Sequence, residues 1–281
     1  MDIDDKDINI HCEVNPITPD RSMLERLRQK PTISDIRRNK LDIEAKLNWD
    51  RFYRSHGARF FKPRQWIIQE FEELAILNDQ SGTRFLLEIG CGCGDFALTL
   101  LDKTSSKSKG RLYVYCCDFS SKAIEVLKSR DQYISHESNI RAFVANAVNL
   151  NEMQLNLDGH LMHLITLVFV LSAIHPRDMK TVLTNVYKLL DGCGVVLFRD
   201  YGLYDATMLR FSNDHKIDDN LYFRGDGTRA YFFTLDEVTS LFSEAGFQII
   251  ESCYVRRNTV NVKEGLCTPR VFVQLRCTKL N

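Results

Sequence analysis

At 281 residues, with 37 Lys and Arg balanced by 37 Asp and Glu, the chain suits one enlarged α/β domain, and a uniformly basic nucleic-acid-binding surface is excluded. Nine cysteines, none spaced Cys-x-x-Cys and most inside apolar runs, imply reduced thiols in a cytoplasmic or nuclear compartment and no disulfide framework. The longest apolar run, Leu164 to Ala173, is too short to cross a bilayer, and the acidic N-terminus is not a signal peptide, so no membrane role is expected.

Met1 to Asp20 is polar, holds Pro16 and Pro19, and reads as a flexible tail; the tail region as a whole is set at residues 1–30. Arg21 to Lys30 predicts a short basic helix stopped by Pro31. An N-terminal helical extension follows over residues 31–80. Ser34 caps a helix carrying Ile36, Leu41, Ile43 and Leu47. Basic residues here (Arg37, Arg38, Lys40, Lys46, Arg51, Arg54, Arg59, Lys62, Arg64) outnumber Asp35, Asp42, Glu44 and Asp50. Composition fits a solvated helix face and a phosphate-binding surface equally well. Trp49, Phe52, Tyr53, Phe60 and Phe61 are interleaved with the arginines. Trp49 and Tyr53 are four apart and share one helix face, suited either to a core or to an adenine pocket and a cation–π contact with a sulfonium. Trp66 to Leu77 predicts an amphipathic helix.

The main domain, residues 81–281, opens on Phe85-Leu-Leu-Glu-Ile-Gly-Cys-Gly-Cys-Gly-Asp95. An apolar strand ends in alternate glycines and gives way to apolar residues at helical spacing: strand, tight turn, helix. A second strand, Leu112 to Cys117, ends at Asp118, where an acid can hold ribose hydroxyls. Its distance from Gly90 exceeds the usual spacing of about twenty residues, and the polar stretch Lys103 to Gly110 accounts for the excess as a loop. Dinucleotide sites use Gly-x-Gly-x-x-Gly. The strictly alternating Glu88-x-Gly-x-Gly-x-Gly resembles motif I of class I methyltransferases and implies S-adenosylmethionine as cofactor. Cys91 and Cys93 lack a second ligand pair, so no metal is expected.

Ser120 or Ser121 caps the next helix; a third strand, Ile140 to Ala145, ends at Asn146-Ala147, where an amide fits an adenine edge or an ordinary turn. Leu161 to Ala173 reads as a buried fourth strand, Asp178 to Leu190 as a helix closed by Gly192, and Val195 to Phe198 as a fifth strand running into Arg199-Asp200-Tyr201-Gly202. His175 at the fourth strand's end is read as structural. Leu235 to Ala245 predicts a helix, and Phe247 to Val255 with Arg270 to Cys277 a closing antiparallel pair. The alternation defines an α/β fold with a mostly parallel, seven-stranded sheet and ligands at the strand C-termini.

Phe198-Arg-Asp-Tyr-Gly-Leu-Tyr-Asp205, Asp226-Gly-Thr-Arg-Ala-Tyr-Phe-Phe233, Asn48-Trp-Asp-Arg-Phe-Tyr53 and Leu171-Ser-Ala-Ile-His-Pro176 resemble signature stretches of the tRNA N3-methylcytidine methyltransferases. Glu264-Gly-Leu-Cys-Thr-Pro-Arg-Val-Phe272 resembles the branch that modifies serine tRNAs, the methyltransferase-like-six type. The resemblance covers roughly Pro31 to the C-terminus. It implies the class I S-adenosylmethionine-dependent fold, methylation of cytosine 32 at N3 in the anticodon loop of serine tRNAs, and seryl-tRNA synthetase as a helper to a monomeric enzyme in the cytoplasm and also the nucleus. It places cofactor contacts on Trp49, Tyr53, Gly90, Gly92, Asp118, Asn146, Ala147 and Val168. Asn146-Ala147 stands where the family has an acid and leucine, which implies altered adenine recognition.

Cytosine N3 carries a lone pair and no proton, so alignment with the methyl group matters more than a general base. Asp200 is the expected catalytic carboxylate beside the cationic product; an ion pair with Arg199 or Arg229 would give it a structural role instead. Tyr201, Tyr204 and Phe233 are expected to stack on the base, with Arg229 beside them. Arg37, Arg38, Lys40, Arg256, Arg257, Lys263 and Arg270 are expected to hold phosphates. Two other readings fit parts of the sequence: a non-catalytic methyltransferase-fold protein that binds tRNA or a synthetase, and a methyltransferase acting on protein or a small molecule.

Overall fold

The computed structural model describes residues 11–14, 18–57, 70–71, 73–74, 82–104, 111–261 and 266–280. Most of the helix expected over Trp66 to Leu77 lies outside these, as do Arg59, Phe60, Phe61, Lys62, Arg64 and Lys263. In chain order come β1 (His11–Glu13), α1 (Arg21–Gln29), α2 (Asp35–Ile43), α3 (Ala45–His56), β2 (Thr83–Ile89), α4 (Asp95–Thr104), β3 (Arg111–Asp118), α5 (Ser121–Lys128), β4 (Ile140–Val144) and β5 (Met162–Val168). Then follow α6 (Pro176–Leu189), β6 (Leu190–Tyr201), β7 (Lys216–Asp218), β8 (Leu221–Phe223), β9 (Arg229–Tyr231), α7 (Leu235–Glu244), β10 (Phe247–Asn261) and β11 (Leu266–Lys279).

The main sheet has the order β1-β10-β11-β6-β5-β2-β3-β4. Strands β2 to β6 run parallel, and β11, β10 and β1 pair antiparallel beyond β6. Both faces are covered, which is why the strands read as unbroken apolar runs. Leu86 packs on one face with Phe96 and Leu100 of α4; its neighbour Leu87 packs on the other with Val182 and Val186 of α6. The seven expected strands are present, with β1 added at the edge. Cys12 pairs with Val255 there, so part of the stretch read as a tail is a strand. It joins through main-chain pairing to an open edge, which leaves no periodicity to read. Cys253 on β10 is disulfide-bonded where reduced thiols were expected, while Cys91, Cys93, Cys116, Cys117, Cys193 and Cys277 are free.

Asp20 and Ser34 cap α1 and α2 with their side-chain oxygens. These helices dock on a second, three-stranded sheet, β7-β8-β9, that periodicity does not predict. The Ile33 N–H donates to the Lys216 carbonyl at 2.9 Å, Arg38 Nη2 to the Ile217 carbonyl at 2.8 Å, and Asn48 Nδ2 to the Gly227 carbonyl at 3.2 Å. Helices and small sheet thereby form one assembly over the C-terminal ends of the parallel strands. Among the described residues, no helix is long and apolar enough to cross a membrane.

Candidate active site

Two cavities of about 500 and 470 Å³ open where β2, β3, β5 and β6 end, and they share Trp49, Tyr53, Gly90, Phe169, Ala173 and Arg229 in their walls. Each is of ligand size. The first is lined by the glycine turn, Tyr201, Arg224 and Arg270; the second by Asp118, Phe119, Asn146 and Ala147.

The glycine turn is a cradle that side chains would fill. Gly90 and Gly92 have φ +67° and +54°. A Cβ on Gly90 would stand 2.4 Å from Val170 Cγ2, and one on Gly92 2.7 Å from Tyr53 Oη. The turn is fixed from outside: Arg130 Nη1 donates to the Cys93 carbonyl and to Asp95 Oδ1, both at 2.8 Å. Asp118 Oδ2 accepts from the Gly92 N–H and Oδ1 from the Ser120 N–H, both at 2.9 Å. Burial pushes its pKa up to about 6, against those two hydrogen bonds. A bare turn beside a carboxylate whose oxygens retain lone pairs fits a nucleoside carrying a ribose diol.

The arm supplies the opposing wall. Trp49 and Tyr53 stack with ring centroids 5.9 Å apart, and Phe52 and Tyr53 pack against Cys93 and Ala123. The described aromatics thus belong both to a small core and to the cleft, which joins the two readings left open by their spacing. Across the cleft, Ala147 is held by Asn185, whose Nδ2 donates to its carbonyl at 2.9 Å. Asn146 caps its own turn, Oδ1 accepting from the Val148 N–H at 3.1 Å, while Glu152 Oε2 accepts from the Asn146 N–H at 2.9 Å. Glu152 thus places a carboxylate on the same wall as Asn146. Val168 lines the first cavity.

Asp200 is fully buried and lines neither cavity. Its Oδ2 accepts from the Ser172 N–H and its Oδ1 from the Tyr201 N–H, both at 2.9 Å, and burial raises its pKa to about 6. Because β6 runs on to Tyr201, the strand's alternation turns Asp200 inward and Tyr201 to the cleft. Tyr201 lines the cavity beneath Arg224, whose guanidinium lies 5.6 Å from the ring centroid. Tyr204 and Phe233 line neither cavity; Phe233 is fully buried against Phe198 and Tyr231.

The residue sequence reasoning missed is Phe169. The fourth strand ends at Val168, and Phe169 turns the chain at φ +59°, its ring 5.0 Å from Tyr201 and 5.4 Å from Phe272. It stands in the walls of both cavities. A left-handed phenylalanine is a strained choice of the kind found at functional sites; an apolar run carries no mark of it. Arg229 also faces both cavities and ion-pairs with Asp42, which His175 and Arg177 approach at 3.7 and 3.6 Å. Burial lowers the His175 pKa, against the opposing field of Asp42.

The expected phosphate ligands divide. Arg37 and Lys40 are exposed, whereas Arg38 is committed to Ile217. Arg256 pairs with Glu13, Arg257 with Glu70, and Arg270 with the buried Asp205 at 2.8 Å. Arg257 and Arg270 still line the first cavity.

A mostly parallel sheet with this glycine turn and an acid closing the next strand defines a class I methyltransferase, and S-adenosylmethionine is its cofactor. A methyltransferase domain model matches residues 87–196. An S-adenosylmethionine-dependent methyltransferase from Anabaena variabilis superposes with a TM-score of 0.60 at 12% identity, covering 90% of this chain and 98% of that one. The chain belongs to the tRNA N(3)-cytidine methyltransferase family. It is 41% identical over 257 residues to the human tRNA N(3)-cytidine methyltransferase METTL6, covering 91% of this chain and 88% of that protein. The rat METTL6 is 41% identical over 253 residues, covering 90% and 85%. The Drosophila melanogaster Mettl2 is 40% identical over 245 residues, covering 86% and 74%.

The site predicts opposite pH responses. Ribose hydroxyls bound at Asp118 would donate to its carboxylate form, so donor affinity should fall as pH drops through about 6, approaching tenfold per unit. A raised acid favours the protonated fold, so the ligand-free protein should lose stability as pH rises through the same range. Calorimetry and thermal melts from about pH 5 to 8 check both; donor affinity flat across that range would reject the role of Asp118.

Proposed function

We propose that this enzyme methylates N3 of cytosine 32 in the anticodon loop of serine tRNAs, from a chamber in which Tyr201 and Phe169 hold the base beside the methyl donor. The observation that supports this most is the lining of the first cavity. The glycine turn lies in the same wall as Phe169, Tyr201 and Phe272, with Arg224 and Arg270 beside them. Flat aromatic walls suit an unpaired base, and arginines suit its carbonyl and flanking phosphates. Base 32 lies in a loop, so drawing it into the chamber costs less than extracting a paired base.

The bound donor supplies a methyl group carried on a positively charged sulfur. Cytosine N3 needs no base to release its lone pair, so the protein's work is alignment and exclusion of water. Asp200 is a positioning residue in this reading: its two oxygens fix the Ser172 and Tyr201 main chains, and so the walls on either side of the base. Its negative charge, one residue beneath Tyr201, also favours the cationic product.

From Thr18 to Gly57 the arm holds ten Lys and Arg against six Asp and Glu. Arg37, Lys40, Arg51 and Arg54 are exposed. If about four phosphates are neutralised, tRNA affinity should fall roughly 50-fold between about 50 and 200 mM salt. A filter-binding titration showing no change would remove the arm from tRNA recognition. Seryl-tRNA synthetase is proposed as the presenting partner of a monomeric enzyme, in the cytoplasm and also the nucleus.

The test is to incubate the pure protein with labelled S-adenosylmethionine and total tRNA, with and without seryl-tRNA synthetase, and to map the product. N3-methylcytidine at position 32 of serine tRNAs is expected. Label in another nucleoside, or none with the synthetase present, rejects the proposal.

A further inference from the structure

Asp50 sits one residue from Trp49 on α3, yet it points at the methyltransferase domain. Its Oδ1 accepts from the Ser120 hydroxyl at 2.6 Å and from the Lys122 N–H at 3.2 Å. Ser120 is the N-cap of α5, where unpaired N–H groups favour a carboxylate. The same serine, through its N–H, holds Asp118 Oδ1 at 2.9 Å. One residue thus joins the arm's acid to the acid that faces the ribose.

We propose that Asp50 is a positioning residue for the methyl-donor site, a latch through Ser120 that couples docking of the arm to binding of S-adenosylmethionine. The latch sets Trp49 and Tyr53 over the glycine turn, one residue before and three after it on α3. A bound donor contacts both sides of the seam, so donor binding should tighten the arm and an undocked arm should weaken donor binding. Asp50 is the charged group whose field raises the Asp118 pKa, beside the larger effect of burial. The other charged groups lining that half of the cleft are Asp42, Lys46, Glu152, His175, Arg177, Asp178 and Arg229. The inference rests on the donor site alone and not on the choice of tRNA.

The test compares Asp50→Asn, Asp50→Ala, Ser120→Ala and the double variant Asp50→Ala/Ser120→Ala, in the full chain, by calorimetric titration with S-adenosylmethionine and no tRNA. Asp50→Asn keeps an acceptor oxygen and loses the charge. It should bind near parental affinity at neutral pH while the acid limb of affinity moves to lower pH. Asp50→Ala should weaken the donor roughly five- to tenfold, in line with loss of a helix cap. The double variant should cost no more than the larger single change, because both remove one link. Melting temperatures identify any unfolded variant, and Asp50→Asn, isosteric with the parent, carries the decision if the alanine forms do not fold. Parental affinity in Asp50→Ala, additive losses in the double variant, or an unmoved acid limb in Asp50→Asn would overturn the latch. Failure of the parent to methylate tRNA would leave this result intact and reject only the substrate assignment.

Discussion

Gly92→Ala should cut affinity for S-adenosylmethionine about 100-fold, a loss of roughly 2.7 kcal/mol. Two effects combine. At φ +54° an L-residue costs on the order of 1 kcal/mol. The new methyl would stand 2.7 Å from Tyr53 Oη, so Tyr53 must leave its stack with Trp49 or the turn must move. Moving the turn would also disturb the Gly92 N–H that holds Asp118. Gly159→Ala is the control, because Gly159 has φ +77° and nothing within 4 Å of a Cβ. It carries the backbone cost alone, remote from the cleft. Calorimetry should therefore find a large loss in Gly92→Ala and none in Gly159→Ala. Parental affinity in Gly92→Ala would mean that the donor does not lie against this turn.

Asp200→Ala should lower kcat on tRNA by about 100-fold or more while donor affinity stays within about twofold. The variant leaves the Ser172 and Tyr201 N–H groups without their acceptor in a fully buried place. An unmet buried donor costs about 1–3 kcal/mol, and the main chain will move to avoid it. Both segments wall the base chamber, and a displacement of about 1 Å there suffices for a hundredfold effect. Asp200→Asn keeps the side chain's size and one acceptor while losing the titratable charge and the second acceptor. The parent's kcat should decline as pH falls below about 6 and the carboxyl gains its proton. In Asp200→Asn that limb should be absent. Equal turnover in Asp200→Ala and parent would remove the residue from the reaction.

The sheet, the glycine turn and Asp118 were legible because each is local: a periodicity, a spacing, an acid at a strand's end. What escaped is what lies between distant segments. Strands of three residues, as in β7 to β9, are too short to express alternation, so that sheet went unseen. The partners Asp50 and Ser120, Asp42 and Arg229, and Asn48 and Gly227 are far apart in sequence. Only folding gives those charges and amides their roles. Asp200 does stand at the end of the fifth strand, but buried and outside both cavities. Its direction was hidden by placing that strand's end at Phe198 rather than Tyr201. Phe233 has aromatic neighbours in sequence that suggest stacking on a base, but its ring packs in the core against Phe198 and Tyr231.

The left-handed backbone at Phe169 has a consequence for what selection can change there. Glycine would sit at this dihedral without steric cost, and asparagine nearly so. Retaining a benzyl group means tolerating about 1 kcal/mol of tension at the septum between the two chambers. The one ring that stands in both walls is therefore held slightly cocked, and comfort of the main chain has been subordinated to its placement.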